Sequence, residues 1–470
     1  MKRILLSLAF VALGAIGCSA QRSGTVYEPV RFEDGTAVSG DAEAEALFAK
    51  DQFVTDTTLT EQGDTLFIVR HAGAFVRLQL DGLPAGIDRI HLVPMEGDIE
   101  GIPVTDPASG SLVLWMAKGP GSLAAAAAVA QAPDGRVWSA RLPALALAPG
   151  TAYRRTGAFL PPDAPAIDLK ATPLPATLLD IDAGEYSGIT HISGSRYAVV
   201  DDKLKGGGIV FFSIPLDPYG NVGTVRMQVA DGTAQATGKA RDCEGIAFDR
   251  SSGTLYVSSE NQEIRGYDLA GQETGKSFRI PNDLGSKDIQ SNRGFEALTY
   301  NDAASLFWTT TESPLKKDTF LPRILRLQSF TGDGEPGERY FYQTGEPLRT
   351  SAGTSAYVHG VPALAALDDG RLLVLEREVY VPKGRFWDKL TDSFTKNDLY
   401  LVDPVNDPAG ILRKSLLCSF RTSALDLANF EGMCLGPALP DGARPLLLIA
   451  DSQRGSGGLT NEYVKVILLR

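Results

Sequence analysis

Cysteine is scarce in this chain. Only four occur in 470 residues, Cys18, Cys243, Cys418 and Cys434. Once Cys18 is set aside as part of a leader, three remain, and an odd number makes no disulfide framework. A Cys243–Cys434 bridge would require adjoining blades. Histidine is equally rare, at four, and no Cys-x-x-Cys occurs, which argues against zinc. No Gly-x-Ser-x-Gly elbow is present, so an ordinary serine esterase is disfavoured. No P-loop or dinucleotide fingerprint is found. Beyond the leader no apolar run could span a bilayer. The net charge of −12 argues against nucleic acid and suits cations, or anions bridged by cations.

What is present begins with Met1-Lys2-Arg3 and an apolar run to Ile16, the pattern of a secretory signal. The run ends Ala15-Ile16-Gly17-Cys18, which resembles a bacterial lipoprotein signal with Cys18 as the lipidated residue. Ala15 stands where leucine is usual. The expectation is an exported, membrane-anchored lipoprotein that touches membrane only through its lipid. The alternative is a soluble secreted protein.

The main signal is a repeat. Cys243-Glu244-Gly245-Ile246, Phe295-Glu296-Ala297-Leu298 and Phe430-Glu431-Gly432-Met433 each open a short apolar strand. A turn and a second strand follow, and the second strand ends in an acid. The same sixteen-residue step separates Glu244 from Glu260 and Glu296 from Glu312. Ser187-Gly188-Ile189, leading to Asp201, and Gly360-Val361-Pro362, leading to Glu376, are weaker copies. The turns hold Gly253, Asp302, Gly370 and Gly442, residue types that favour tight hairpins. In an antiparallel hairpin the start of one strand lies beside the end of the next, so each unit brings its acids to one end.

Third and fourth strands follow most of these pairs, and four strands per unit around a channel describe a β-propeller. Five blades are expected, or six if a degenerate one hides within Thr344–His359 or Glu378–Asn397. Thr177–Ile181 could complete the last blade and close the ring. The fold class is therefore all-β, a C-terminal β-propeller preceded by a small antiparallel β-sandwich. The expected segments are a signal over 1–18, a tether over 19–60, the sandwich over 61–160, a Pro-rich linker over 161–176 and the propeller over 177–470. In the sandwich, alternating strands are expected at Thr65–Arg70, Ala74–Leu80, Arg89–Pro94, Ser111–Met116, Val137–Leu142 and Tyr153–Phe159.

If the units form a ring, their acids share a face. Converging carboxylates need a cation or bases to neutralise them, and hard oxygen ligands suit Ca²⁺. The candidate metal ligands are Glu244, Glu260, Glu296, Glu312, Glu376 and Asp451, with Asp201 in the same set. Glu244, Glu296 and Glu431 are the candidate catalytic acids. Arg241, Arg265, Arg293, Arg377 and His359 are the candidate substrate-binding groups, because arginine forks match phosphate and carboxylate. The bland alternative is that these acids and bases only hold blade edges together.

Asp242-Cys243-Glu244-Gly245-Ile246-Ala247, Asn292 through Leu298, Asn429 through Met433 and Leu447 through Ser452 together resemble the "esterase-like activity of phytase" family, over about residues 178–470. The resemblance implies a phytase-like propeller in an exported protein and hydrolysis of phosphate or other esters. It assigns no defined catalytic set. Two functions are expected from different classes. One is metal-assisted hydrolysis of a small phosphorylated or ester substrate. The other is a non-catalytic surface propeller that binds a glycan, peptide or protein.

Overall fold

The computed structural model describes residues 23–59, 65–95, 99–107, 109–162, 167–423, 427–454 and 460–470. The expected signal and Cys18 lie outside the described residues. The architecture is all-β, as the alternating patterns predict, with few and short helices. Among the described residues no helix is long and apolar enough to cross a membrane.

The chain divides into two compact units. The first comprises residues 1–79, 112–123 and 144–156. The stretch expected to be a tether carries order here. Asp41 caps the helix Ala42–Phe48 by accepting from the backbone N–H of Glu43 and Ala44, both at 3.1 Å. Trp115 Nε1 donates to the other oxygen of Asp41 at 2.7 Å. Phe53–Leu59 pairs with Thr65–His71, so its backbone groups are spent on a ladder.

The second unit comprises residues 80–111, 124–143 and 157–470. It includes a sheet of Arg89–Pro94, Glu100–Pro103, Ala126–Gln131 and Val137–Leu142, taken from the segment expected to be sandwich. The alanine-rich run that has no obvious state in the sequence is a buried strand there. Val93, Met95, Ala127 and Val129 form a core with Leu321, Ile324, Phe341 and Ile411. Arg326 and Arg339, both buried, bond to Asp283 and to the Met95 carbonyl. Apolar packing and this ion-pair network explain why the sheet groups with the C-terminal strands.

Five antiparallel sheets follow in chain order. Sheet one is Tyr186–Ser193, Arg196–Asp201, Ile209–Ser213 and Arg226–Val229. Sheet two is Cys243–Asp249, Thr254–Ser259, Glu263–Tyr267 and Glu273–Ser277. Sheet three is Phe295–Asn301, Leu306–Thr311, Ile324–Thr331 and Pro336–Gln343. Sheet four is Thr354–Ala366, Leu372–Pro382, Phe394–Val402 and Lys414–Ser423. Sheet five is Asn429–Leu435, Arg444–Asp451 and Tyr463–Leu469. Its outer edge is supplied by Ala171–Pro173 and Thr177–Leu178, both paired with Tyr463–Leu469. Of the two segments where a sixth blade could hide, Thr344–His359 ends in the first strand of sheet four, and Glu378–Asn397 runs from its second strand through the helix Phe386–Asp392 into its third. The outer strand of sheet two is Glu273–Ser277, where the sequence pattern predicts one over Ser277–Ile280.

Alternation along each strand sends side chains to both neighbouring sheets, which is why these strands read as nearly continuous apolar runs. Val199 packs toward sheet five, beside Leu447 and Ile449. Its neighbours Ala198 and Val200 pack toward sheet two, beside Leu255 and Val257. Tyr256 meets Phe307 and Phe330 of sheet three. Leu325 and Leu327 meet Leu372 and Val374 of sheet four. Leu373 and Leu375 meet Leu446 and Leu448 of sheet five. Five cores therefore lie between neighbouring sheets, and the one around Val199 lies between sheet five and sheet one.

Candidate functional site

The Glu-Gly pairs have a packing cause. A Cβ on Gly188 would lie 2.5 Å from the Glu244 carbonyl oxygen. One on Gly245 would lie 2.6 Å from the Glu296 carbonyl oxygen, and one on Gly432 would lie 2.2 Å from that of Ser187. Only a residue without Cβ lets the first strands approach this closely. Gly432 against Ser187 is the contact that joins the last sheet to the first.

The glutamates beside these positions are aimed by bulges. Pairing between first and second strands shifts register at Tyr186/Ile189, Cys243/Ile246, Phe295/Ala297, Gly360/Ala363 and Phe430/Gly432, the same place in all five sheets. A bulge re-aims a side chain and ends regular pairing, and it recurs beside functional sites. Here it carries Ser187, Glu244, Glu296, Pro362 or Glu431.

A cavity of about 360 Å³ opens at this end of the strands. Glu244, Glu296, Glu312, Glu431 and Asp451 line it, with Glu185, Asp202 and Lys203 from sheet one. Arg293, Arg377, Asn292 and Asn429 supply most of the other polar groups. Two lining residues, Asn292 and Gln453, hold left-handed backbone at φ 52° and 48°. Such conformations persist where surrounding structure enforces them and cluster at functional sites.

The charges fall into two groups. Arg377 is buried, and its Nη2 donates to Glu312 at 2.6 Å. Its Nη1 donates to Asn429 Oδ1 at 2.9 Å and also to Glu431. Arg293 donates to the second oxygen of Glu312. Lys203 donates to Asp202 at 2.6 Å. The second group is Glu244, Glu296 and Asp451, which make no ion pair among the described residues. Ser187 Oγ donates to Glu244 at 2.8 Å, and the Gln453 N–H donates to Asp451 at 2.7 Å.

Burial, then the nearby Glu431, pushes the Glu244 carboxyl well above the usual range. Burial, then Glu244, does the same to Glu296. Asp451 is pushed up to about 9, by burial and then Glu431. Asp202 is pushed up to about 6, again chiefly by burial. One cavity thus holds carboxyls that burial pushes toward the protonated form to different degrees, Asp451 to about 9 and Asp202 to about 6. Separation of this kind is how carboxyls take acid and base roles.

Several expected residues lie elsewhere. Glu376 does not line the cavity. It accepts from the Tyr342 hydroxyl and Lys414, and from the Gly345 N–H at 2.8 Å. The next residue, Arg377, faces the cavity instead, because successive strand residues face opposite sides. Glu260 accepts from the Gly294 N–H at 3.0 Å and, though outside the cavity lining, is hydrogen-bonded to Glu296. Asp201 is buried against the backbone of Lys203. Arg241 and Arg265 pair with Glu273 on the outer edge of sheet two, at 3.2 and 2.8 Å. His359 is also off the cavity, and burial lowers its pKa. Cys243, Cys418 and Cys434 are free thiols.

The donor chemistry suits a hard cation, since unpaired buried carboxyls repel one another. A ready-made cage is not assembled. Among the described residues no three Asp, Glu, His or Cys groups stand together as metal ligands. Glu244 and Asp451, which share the cavity and make no ion pair among the described residues, are the acids left for a cation.

Asp202, Glu185 and Asn429 are cavity residues that sequence reasoning misses. Asp202 adjoins the strand-end acid of sheet one, and Asn429 precedes the Phe-Glu-Gly motif, so position alone could have marked both.

No curated protein matches this chain. Among solved structures, a glutaminyl cyclase of Myxococcus xanthus aligns with 12% sequence identity and a TM-score of 0.33. The alignment covers 64% of this chain and 98% of that one. A family model described as phytase-like, esterase-like activity of phytase, matches residues 181–453. That span takes in all five first strands, every bulge and most of the cavity lining, and the chain belongs to the phytase-like family known by the description esterase-like activity of phytase.

Proposed function

We propose that the five sheets are the blades of a five-bladed β-propeller, and that the acidic cavity at one end hydrolyses an ester, a phosphomonoester in the first instance. One observation carries this reading. The same cavity gathers Glu244, Glu296 and Asp451, which make no ion pair among the described residues and whose carboxyls burial pushes up, with two arginines fixed by other acids.

Each group has a role that its surroundings suit. Arg377 and Arg293 present N–H groups to charge that develops on the reacting oxygens. Glu296, whose carboxyl burial biases toward the protonated form, donates to the leaving oxygen. Asp202 takes the proton of the attacking water. Glu244 accepts from Ser187 Oγ. Ca²⁺, if bound, would be held by Glu244 and Asp451 in their ionised forms, leaving Glu296 to act as the acid, and would neutralise substrate phosphate.

Phosphate release from an aryl phosphate and from phytate, with Ca²⁺ and then with excess chelator, tests the reading. Release that requires the cation supports both hydrolysis and metal assistance. Release indifferent to chelator removes the metal and keeps the hydrolysis. A second reading is binding without turnover of a glycan, peptide or protein, in which the cavity's acids and arginines hold a ligand rather than act on it. No release from any ester by folded protein would support it.

Export with lipid on Cys18 belongs to the same proposal. The mass of the mature N-terminus from membranes tests it, since an unmodified residue at a different cleavage site is incompatible with a lipid anchor.

A further inference from the structure

The first two strands of sheet four are longer than those of the other four sheets. They run Thr354–Ala366 and Leu372–Pro382, against six to eight residues elsewhere. The extra length continues past the cavity floor. Gly360 pairs with Arg377, Val358 with Val379, and Ala356 with Val381. Apart from Gly360, every one of these residues lines the cavity. Arg377, Val379 and Val381 alternate on one face of one strand. Counting from Arg377 to Val381, the wall rises roughly 13 Å above the floor.

This wall differs from the rest of the mouth. Lys203, Asn292, Arg293 and Gln453 line the other sides. Val358, Val379 and Val381 are only partly buried and, among the described residues, belong to neither core that flanks sheet four. An extended hairpin with apolar side chains left facing water is a liability unless something covers it. An acidic floor beside an apolar wall also suits a polyanion poorly.

We propose that the ester taken by this site carries an apolar group on one side of the scissile bond, seated against Ala356, Val358, Val379 and Val381 while its polar head meets Arg377. The substrate class is an amphipathic ester, aryl or medium-chain alkyl. This rests on the ester-hydrolase reading of the cavity for the chemistry, though not for the binding.

Calorimetric titration of the protein, starting after Cys18, with octyl phosphate and with methyl phosphate in the presence of Ca²⁺ tests it. The expected result is octyl phosphate binding at least tenfold tighter than methyl phosphate. Val358→Ser with Val379→Ser brings the two together, and Val358→Leu with Val379→Leu keeps the preference, which guards against misfolding. Octyl phosphate binding no tighter than methyl phosphate, or no binding of either, overturns the inference. A valine-dependent preference without turnover of any ester would keep the inference and remove the hydrolase reading.

Discussion

Arg377 Nη2 lies 2.6 Å from Glu312 Oε1, with both side chains almost wholly buried. The same guanidinium reaches Glu431 and Asn429, so one residue of sheet four ties together acids from sheets three and five. Removing one partner of a buried ion pair costs about 3–5 kcal/mol, because the acids left behind stay buried. Arg377→Met should therefore lower unfolding free energy by about that amount in urea titration. A loss below about 1 kcal/mol would mean the three groups are not joined as described.

The approach of Gly432 to Ser187 gives a second test. Alanine there forces its Cβ onto a backbone oxygen at 2.2 Å, which only a strand shift can relieve. Overpacking of this kind costs about 1–3 kcal/mol. Gly119→Ala, with nothing within 4 Å of the new carbon, serves as the control and should change little. Equal melting temperatures for the two variants would contradict this close approach of Gly432 to Ser187.

The repeat, the hairpin turns and the clustering of Glu244, Glu296 and Glu431 are legible in the sequence because each glutamate stands at the same place in its unit, before a small residue, Gly245, Ala297 or Gly432, two of which the close approach of the first strands requires to be glycine. The fate of the strand-end acids is not. Glu312 and Asp451 line the cavity while Glu376 turns away, and one residue of register decides which. The bulges set that register, and they leave no mark in composition. Arg241 and Arg265 are near the motif in sequence, but Glu273 holds them at the edge of sheet two. The apolar wall hides for another reason: its residues look like any strand until the pairing shows how far sheet four extends.

The pH dependence has a fixed sign. Asp451 titrates at about 9 in the fold and at about 3.9 in an unfolded chain. Its stabilising share is fully present below the unfolded value and is lost as pH rises through the folded one. Glu244 and Glu296 are raised in the same direction. Stability should fall from about pH 4 to about pH 9, and Asp451→Asn should flatten that slope. Ca²⁺ should raise the melting temperature more at about pH 8 than at about pH 5, since it must displace protons. A melting temperature that climbs with pH in this window would oppose the assignment.

Glu376 offers a separation of structure from function. It is bonded to Tyr342, Gly345 and Lys414, away from the cavity. Glu376→Gln should cost about 1–3 kcal/mol and leave the turnover of folded protein unchanged. A loss of turnover at unchanged stability would return Glu376 to the site.

The most direct measurement is ester hydrolysis by Glu296→Gln beside the unaltered protein, with both melting curves recorded. The neutral amide keeps the volume of the buried acid and cannot donate its proton. Loss of general-acid help is worth about 10²–10⁴-fold in rate. The account predicts a fall in kcat within that range with folding retained. Unchanged kcat, or no hydrolysis by the unaltered protein, would contradict it.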